Sequence, residues 1–289
     1  RPRDRGTVCP MHVNSGAVEA KDLVLTYGNH VALGASSFTI PSGSTTAIIG
    51  PNGSGKSTLL NAIAGLTEPS AGSLAVGTGD TTRISYVLQS TRVNDALPIT
   101  VREVVSMGRY ASAGPYRPLG SADRAIIEEA MDRVGISDIA TRHLDDLSGG
   151  QRQRVFVAQG LAQEHSILLL DEPLTGIDLT TAQAIDAVIH DETKRGCTVV
   201  MTTHDLSEAQ FAGHVLLLAG RVVASGPPEA VLTSDHLVEA YGPSLLHVDE
   251  GGTVFLDDPA HTHLPGRHAH RERTIHTEAS PMETHGPND

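Results

Sequence analysis

The segment that most constrains the fold is the glycine-rich stretch GPNGSGKST, at residues 50–58. It follows a short apolar run, TTAIIG, which is typical of a buried strand, and it leads into KSTLLNAIAGL (56–66), which has helical spacing. Glycines at Gly50, Gly53 and Gly55 allow the backbone to curl and to point its N–H groups inward, where side chains would obstruct it. The pattern therefore predicts an α/β fold in which a strand, a loop and a helix N-terminus form a cradle for an anion.

Lys56 and Ser57 give this cradle, the phosphate loop, its chemistry. The ammonium group of Lys56 can reach the β- and γ-phosphates of a nucleotide, and the hydroxyl of Ser57 can ligate Mg²⁺. A glycine-rich turn without a ligand is the alternative, and the strand before the loop and the helix after it disfavour that interpretation. The predicted phosphate-binding residues are Gly50, Pro51, Asn52, Gly53, Ser54, Gly55, Lys56, Ser57 and Thr58.

A second apolar segment, SILLLDEP (166–173), ends in two acidic residues. It predicts a buried strand, with Asp171 where the strand emerges and Glu172 directly after it. A phosphate cradle that hydrolyses its ligand also needs a carboxylate that positions a metal ion and a group that activates water. We expect Asp171 to hold Mg²⁺ indirectly and Glu172 to act as general base on the attacking water. An acidic turn without function is the alternative, and the presence of the phosphate loop disfavours it.

Short apolar strands alternate with helical patterns through much of the chain, which is typical of α/β architecture. DLVLTYG and SSFTIPSG predict antiparallel strands, and GCTVVMTTHD and HVLLLAGRVVASG predict further strands, the last with a Gly-Arg hairpin turn. Residues 121–136 predict a helix, within a small helical subdomain over about residues 90–163. The apolar face predicted for this helix consists of Ala122, Ile126, Ala130, Met131 and Val134.

The stretch LSGGQRQR (147–154) places Ser148, Gly149 and Gly150 at a predicted helix N-terminus, where backbone donors and a hydroxyl can meet a second anion. Together with the motifs above it resembles the ATP-binding cassette (ABC) family, and the resemblance covers about residues 17–243. The resemblance implies a P-loop NTPase fold with a RecA-like α/β core, an antiparallel β subdomain and an α-helical signature subdomain. In that family the signature, which here runs from Ser148 to Gln151, meets the nucleotide held by the partner chain. A homodimer with two shared sites for ATP and Mg²⁺ is therefore implied.

The resemblance implies roles for four further residues. Tyr27 lies where the family stacks an aromatic ring on adenine, and Gln89 matches a glutamine that senses Mg²⁺ and links to the helical subdomain. Asp178 matches an aspartate that crosses the dimer interface, and His204 matches a histidine that contacts the γ-phosphate. The alternatives are that Tyr27 only packs, that Asp178 caps the following helix, and that His204 is a core histidine. The predicted catalytic residues are Lys56, Gln89, Glu172 and His204, and the predicted metal-binding residues are Ser57, Gln89 and Asp171.

Composition restricts the partners. The net charge of −13 argues against a nucleic-acid binder, which usually carries a clustered basic face. No apolar run approaches the roughly 18 residues that cross a bilayer, so the resemblance implies a peripheral ATPase subunit that docks onto two separate integral-membrane permease subunits. Its place would be the cytoplasmic face of the cell (inner) membrane. The two cysteines, Cys9 and Cys197, suit a reducing compartment; Cys197 is expected only to pack, and Cys9 with His12 is left unassigned.

The segment 90–125, which would receive the permease, resembles the branch of the family that serves zinc and manganese importers. FVAQGLAQ and DEPLTGID favour the same branch, which also implies an extracytoplasmic solute-binding protein. VREVVSMGRY alone is also similar to ferric-siderophore and cobalamin importers. Importers of siderophores, haem or cobalamin and an exporter therefore stay as alternatives, and a soluble non-transport ATPase is a weaker one.

Both ends of the chain lack the periodicity of its middle. Residues 1–16 are expected to form a flexible leader without a secretory signal. Residues 244–289 hold eight acidic residues against three arginines and seven of the fifteen histidines, and we expect much of this tail to be disordered. Two H-x-H pairs in the tail predict weak binding of a transition metal and favour zinc over manganese as the cargo, while a solvated tail without function is the alternative. The pairs are His261 with His263 and His268 with His270.

Overall fold

The computed structural model describes residues 16–28, 30–77, 82–88, 98–113, 118–242, 246–248 and 254–256. The strands in this part of the chain are β1 (Gly16–Tyr27), β2 (His30–Pro41), β3 (Thr45–Ile49), β4 (Ala71–Val76), β5 (Ile84–Val87), β6 (Ile167–Leu170), β7 (Thr198–Thr202), β8 (His214–Leu218), β9 (Val222–Gly226), β10 (Leu246–Val248) and β11 (Val254–Leu256). The α-helices are α1 (Lys56–Ile63), α2 (Val101–Ala113), α3 (Ser121–Arg133), α4 (Gly149–Ala162), α5 (Leu179–Lys194), α6 (Leu206–Gln210), α7 (Pro228–Val231) and α8 (Ser234–Tyr241). None of these helices combines the length and the apolar composition that a bilayer span requires.

The central sheet contains six strands in the order β5-β6-β7-β3-β8-β9. All neighbouring pairs are parallel except β8 and β9, which are antiparallel. Every residue of β6, β7 and β8 is buried. Strands that are covered on both faces have continuous apolar sequences, as these three strands largely do. The predicted Gly-Arg hairpin is confirmed between β8 and β9, where Gly220 adopts a φ of 69°.

A separate antiparallel sheet of three strands has the order β2-β1-β4. The two antiparallel strands predicted near the start of the chain are confirmed as β1 and β2, and β1 already begins at Gly16, the last residue of the predicted leader. The buried side chains of Phe38 and Ile40 in β2 share one core with Ile48 of β3 and Leu59 of α1. This core joins the antiparallel sheet to the central sheet and fixes α1 in place.

The helices α2, α3 and α4 pack against one another, and α3 corresponds to the helix predicted over residues 121–136. Of its predicted face, Ala130, Met131 and Val134 are buried and Ile126 is partly buried. The prediction is wrong for Ala122, which is exposed, and it omits Ile127, which is buried. The face is rotated because Asp123 lies inside, where its Oδ1 accepts hydrogen bonds from Nε and Nη2 of Arg109 at 3.1 and 3.0 Å. Pairing with a buried guanidinium offsets the cost of removing this carboxylate from water.

The C-terminal end of α4 is fixed against the central sheet. A Cβ atom at Gly160 would lie 2.5 Å from Cγ2 of Val87, so only glycine allows this approach. The hydroxyl of Ser85 in β5 also donates a hydrogen bond to the carbonyl oxygen of Gly160 at 2.9 Å. On the opposite side, a Cβ at Gly108 of α2 would lie 2.2 Å from the carbonyl oxygen of Gln159. The helix is therefore held on two sides near its end.

The predicted tail contains one structured feature among the described residues. β10 and β11 pair antiparallel, from Leu246↔Leu256 to Val248↔Val254, and the sequence analysis did not predict these strands. The remainder of the tail, including the four histidines of the H-x-H pairs, lies outside the described residues, as does the leader with Cys9 and His12.

Candidate active site

The predicted site residues lie at the carboxyl ends of three neighbouring strands. β3 leads into the phosphate loop, β6 leads into Asp171 and Glu172, and β7 leads into His204. Because these strands are parallel and adjacent, their carboxyl ends meet at one edge of the sheet, which is where open α/β sheets bind ligands. Three segments far apart in the sequence are thus brought to one place.

The phosphate loop has a backbone that requires its glycines. Gly50 and Gly55 adopt φ values of 150° and 99°, and Gly53 adopts 79°. A Cβ atom at Gly50 would lie 2.2 Å from the carbonyl oxygen of Leu218, and one at Gly55 would lie 2.5 Å from that of Ala32. The predicted need for glycine is therefore partly a matter of backbone angle and partly of close approach to neighbouring strands.

The side chain of Lys56 folds back over this loop. Its Nζ donates hydrogen bonds to the carbonyl oxygens of Gly50 at 2.7 Å and Pro51 at 3.1 Å, and the residue is 7% exposed. Burial lowers the pKa of Lys56, and the nearby carboxylates of Glu172 and Asp171 oppose that change. The loop thus holds a cation beside two acidic groups, as a site for an anion and a divalent metal ion requires.

The N-terminus of α1 carries no side-chain cap. Gly55 precedes the helix in the left-handed conformation, with no hydrogen bond from a capping side chain. The first N–H groups of a helix have no partner within the helix, so an uncapped N-terminus beside Lys56 is suited to bind phosphate oxygens.

Asp171 and Ser57 form a pair suited to a divalent cation. Asp171 is 3% exposed, and its Oδ1 accepts hydrogen bonds from Thr202 Oγ1 at 2.8 Å and from Ser57 Oγ at 3.3 Å. Its Oδ2 is buried, and no other group in the described part of the chain hydrogen-bonds to it; the same holds for Ser54 Oγ in the phosphate loop. Buried polar atoms without partners are rare, and a carboxylate with a hydroxyl is a donor set that Mg²⁺ prefers. The residues present therefore fit this ion.

Thr202 is a site residue that the sequence analysis missed. It ends β7 and is fully buried, and its hydroxyl accepts a hydrogen bond from the backbone N–H of Glu172 at 2.9 Å while donating to Asp171. Glu172 itself adopts a φ of 49°, an uncommon conformation for a residue other than glycine. Thr202 thus fixes both acidic residues. The available signal was a hydroxyl residue at the end of the strand TVVMT, since a hydroxyl both donates and accepts.

His204 lies two residues after β7 and is exposed, so the alternative that it is a core histidine is wrong. Glu208 in α6 lies close enough to interact with it electrostatically. Burial raises the pKa of Glu208, and a hydrogen bond from Thr203 opposes that rise. No pattern in the sequence indicated this carboxylate near the imidazole.

The signature forms a second group of predicted site residues. The predicted helix N-terminus at Ser148 is confirmed. Ser148 also caps α4, which was not predicted: its Oγ accepts from the N–H of Gln151 at 3.2 Å, and Oε1 of Gln151 accepts from the N–H of Ser148 at 3.1 Å. Asp178 caps α5, since its Oδ1 accepts from the N–H of Thr181 at 3.0 Å; the cap is confirmed, and the interface role, which is compatible with it, stays a prediction. A Cβ atom at Gly150 would lie 2.9 Å from Asp178 Oδ2. The two helix N-termini therefore lie side by side.

Tyr27 and Gln89 are the two remaining predicted residues. Tyr27 ends β1 in the antiparallel sheet and is 81% exposed, so its ring is available to a ligand rather than packed in the core. Gln89 lies outside the described residues.

The phosphate loop follows β3, the two acidic residues follow β6, and the histidine follows β7, which lies between those two strands. This arrangement defines a P-loop nucleotide hydrolase. The sequence model of the family described as "ABC transporter" matches residues 33–175 of the chain.

Similar proteins extend the match to most of the chain. The chelated iron transport system protein YfeB of Yersinia pestis is 38% identical, over 82% of this chain and 83% of its own length. The zinc transport system ATP-binding protein TroB of Treponema pallidum is 39% identical, over 78% and 87%. The manganese transport system ATP-binding protein MntB of Bacillus subtilis is 38% identical, over 83% and 95%.

Solved structures share the fold. An ABC transporter of metal-chelate type in an inward-facing conformation matches with a TM-score of 0.71 and 27% identity, covering 83% of this chain and 96% of its own. A dimeric bacterial ABC transporter cassette matches with a TM-score of 0.63 and 29% identity, covering 73% and 98%. The chain therefore belongs to the ABC transporter family and is one of its ATP-binding, ATP-hydrolysing subunits. Such subunits work with membrane permease components.

Proposed function

We propose that this chain is the ATPase subunit of an importer for a divalent metal ion, with zinc favoured and manganese next. The observation that carries the proposal is the group of relatives, which are named for chelated iron, zinc and manganese transport and match about four fifths of the chain at 38–39% identity. The segment 90–125 resembles the same branch. The alternatives are an importer of ferric siderophore, haem or cobalamin, and an exporter.

In the proposed reaction, the phosphate loop binds the phosphates of ATP, and Lys56 interacts with the β- and γ-phosphates. The carbonyl oxygens of Gly50 and Pro51 already hold the Lys56 ammonium group inside the loop. Phosphate oxygens can therefore accept hydrogen bonds from it with little rearrangement. Ser57 and Asp171, with Gln89, would hold Mg²⁺, which when bound offsets the negative charge that the phosphates develop.

Glu172 is the proposed general base. Its backbone N–H donates a hydrogen bond to Oγ1 of Thr202, which fixes the backbone of this residue directly after Asp171. A carboxylate held in this position can polarise a water molecule for attack on the γ-phosphate. His204, exposed at the same edge, would contact the γ-phosphate and help to orient that water.

A second chain completes each site in this proposal. The resemblance implies that Ser148 and Gly150 of one chain contact the γ-phosphate bound by the other, that Tyr27 stacks on adenine, and that Asp178 lies at the interface. The position of Ser148 at the N-terminus of α4 supports this, because the positive end of a helix favours an anion. The dimeric cassette among the similar structures supports a dimer as well. Closure of two chains around two ATP molecules would move α2, α3 and α4 and so drive two permease subunits at the cytoplasmic face of the cell membrane.

Replacement of Glu172 tests the hydrolytic part. We expect Glu172→Gln to lower ATP turnover about 100-fold or more and to accumulate an ATP-bound dimer that elutes early in size-exclusion chromatography. Glu68→Gln, at an exposed position away from the sheet edge, is the matched control and retains wild-type turnover. A Glu172→Gln protein that stays monomeric with full turnover would contradict the assignment.

Transport tests the cargo. The chain is reconstituted in proteoliposomes with its permease subunits and solute-binding protein, and uptake of Zn²⁺, Mn²⁺, a ferric siderophore and cobalamin is compared. ATP-dependent Zn²⁺ uptake, absent with Glu172→Gln, is the expected result. Uptake of the siderophore or cobalamin instead, or ATP-driven export, would favour the corresponding alternative and leave the ATPase assignment intact.

A further inference from the structure

Three potential metal ligands converge at the other edge of the central sheet, away from the nucleotide site. His165 precedes β6, Cys197 precedes β7, and Glu192 lies in the last turn of α5. One ligand atom from each residue lies within 4.8 Å of the other two. No step of the proposed ATPase reaction uses them.

From this arrangement we infer that the chain has a binding site for a divalent transition-metal ion of the zinc class. The ligands are Nε2 of His165, Oε2 of Glu192 and the Sγ of Cys197. A thiolate, an imidazole and a carboxylate are a ligand set that binds Zn²⁺ well and Mg²⁺ poorly. The site is distinct from the predicted Mg²⁺ position at Asp171 and from the histidines of the tail, and it does not depend on which ion the transporter carries.

Hydrogen bonds at both ring nitrogens fix the orientation of the His165 side chain. Its Nδ1 lies 2.7 Å from the carbonyl oxygen of Gln163, which can only accept, so Nδ1 carries the hydrogen. Its Nε2 points at Oε2 of Glu192, 3.0 Å away. Metal-binding histidines commonly use one nitrogen to donate to a carbonyl and the other to bind the ion. A metal ion would replace the proton that Nε2 shares with the carboxylate.

Glu192 is held by its other oxygen. Oε1 accepts a hydrogen bond from Nη1 of Arg133 at 2.6 Å, which leaves Oε2 directed at His165. The guanidinium group of Arg133 forms an ion pair with this side chain and stabilises its ionised form. A fixed, ionised oxygen is thus available as a ligand.

Cys197 completes the set from the start of β7. It is 3% exposed, and its Sγ lies 3.9 Å from the carbonyl oxygen of His165. Bond lengths of about 2.0 Å to nitrogen and 2.3 Å to sulfur place the ligands of a tetrahedral zinc site about 3.5 Å apart. Small side-chain shifts from separations within 4.8 Å are sufficient to reach that geometry.

A pocket beside the three ligands leaves room for a fourth. It has a volume of about 70 Å³ and is lined by all three ligand residues. A water molecule occupies about 30 Å³ in the liquid, so a metal-bound water fits in the pocket. Three arginines also line it, and each is paired with a carboxylate: Arg109 with Asp123 at 3.0 Å, Arg133 with Oε1 of Glu192 at 2.6 Å, and Arg195 with Glu129 at 3.3 Å.

Metal binding would affect the strands that carry the reaction. The ligands join the starts of β6 and β7, and the far ends of the same strands carry Asp171 and Thr202. At about 3.3 Å per residue the two edges are about 15 Å apart. An ion would therefore tie together two strands of the hydrolytic site without contacting the nucleotide.

Titration of the full-length chain with Co²⁺ tests the site, because a Co²⁺–thiolate bond gives a charge-transfer absorption band. Neither the histidine-rich tail nor the nucleotide site offers a thiolate. We expect the band in the wild type and in Cys9→Ser, but not in Cys197→Ser. Stoichiometric Zn²⁺ should remove it. No band in the wild type, a band that persists in Cys197→Ser, or one lost in Cys9→Ser would overturn the proposal.

His165→Gln separates the ligand set from a thiol that binds metal alone. Glutamine can still donate a hydrogen bond but lacks the imidazole, so Co²⁺ affinity should fall at least tenfold. Unchanged affinity would contradict the ligand role of His165. Circular dichroism and basal ATPase activity of each variant, compared with the wild type, identify any loss of folding.

Discussion

The N-termini of α1 and α4 both offer free N–H groups to an anion, but they differ in their capping. α1 follows the left-handed Gly55, has no side-chain cap and begins with the buried Lys56. α4 is closed by its own residues, since Ser148 and Gln151 exchange hydrogen bonds between side chain and backbone. Both ends carry the positive pole of a helix. The difference indicates that α1 is built to receive an anion in the single chain, whereas α4 is stable before any ligand reaches it.

This difference gives Ser148 two tasks. In the single chain its hydroxyl satisfies an N–H group of α4, a contribution of about 1 kcal/mol. In the proposed dimer the same hydroxyl faces the partner's nucleotide and must share or leave its cap. The open end of α1 has no such conflict.

Replacement of Lys56 at the uncapped N-terminus of α1 should have the largest effect on ATP turnover. We expect Lys56→Ala to lower ATP turnover about 100-fold or more, because removal of one preorganised donor to developing charge typically costs that much. The variant also leaves Asp171 and Glu172 without a neighbouring ammonium group. Phosphate release by the purified chain measures the effect, and Lys21→Ala, at an exposed position in β1, is the control. Wild-type turnover in Lys56→Ala would show that α1 does not act as the phosphate site.

Removal of the Thr202 hydroxyl should have the next largest effect. Thr202→Val removes one partner from Asp171 and one from the N–H of Glu172, so we expect a loss of about 1–3 kcal/mol in the free energy of unfolding together with a clear fall in turnover. Thr198→Val removes a hydrogen bond to the N–H of Gly43 at the other end of β7. Denaturant unfolding and phosphate release are measured for both. If both variants lose stability and turnover equally, Thr202 has only a structural role.

Two substitutions at Ser148 should separate its two tasks. Ser148→Ala is expected to lower the free energy of unfolding by about 1 kcal/mol, and Ser148→Asn to restore it, because asparagine caps as well as serine. Turnover should stay low in both if the serine hydroxyl also contacts nucleotide across the dimer. Thr233→Ala, which removes the cap of α8, is the stability control. Recovery of turnover in Ser148→Asn would assign the serine to capping alone.

The smallest effects are expected from alanine at the two signature glycines. Nothing lies within 4 Å of a Cβ at Gly149, so Gly149→Ala should stabilise the chain by up to about 1 kcal/mol by lowering the conformational entropy of the unfolded chain. A Cβ at Gly150 meets Asp178 Oδ2 and Thr181 Oγ1 at 2.9 Å, and this crowding should cancel the gain. Thermal unfolding compares the two variants. Equal stabilisation would mean that the two helix N-termini can separate without cost.

Local motifs explain why much of the fold and site could be predicted. The phosphate loop, the Asp171–Glu172 pair and the helix N-terminus at Ser148 each depend on residues within one short segment. Their backbone geometry follows from glycine freedom, strand exit and capping, which single segments reveal.

Motifs within one segment could not predict the contacts between distant segments. Helical spacing predicts that the acidic side chain of Asp123 faces solvent. It is buried in the structure because it pairs with Arg109. Thr202 gains its role from Asp171, 31 residues earlier in the chain. Cys197 looked like a packing residue because its neighbour His165 lies 32 residues away. Such partners become visible only when parallel strands bring their ends together.

The length of α4 would amplify a small tilt of this helix about its C-terminal end. Its end at Gly160 is pinned by Ser85 and by close contact with Val87, while its start carries Ser148. A helix of its 14 residues is about 21 Å long. A tilt of about 5° around the pinned end would shift Ser148 by about 2 Å, enough to make or break a hydrogen bond to a phosphate. A small rotation of α4 would thus decide whether Ser148 at its N-terminus contacts a phosphate.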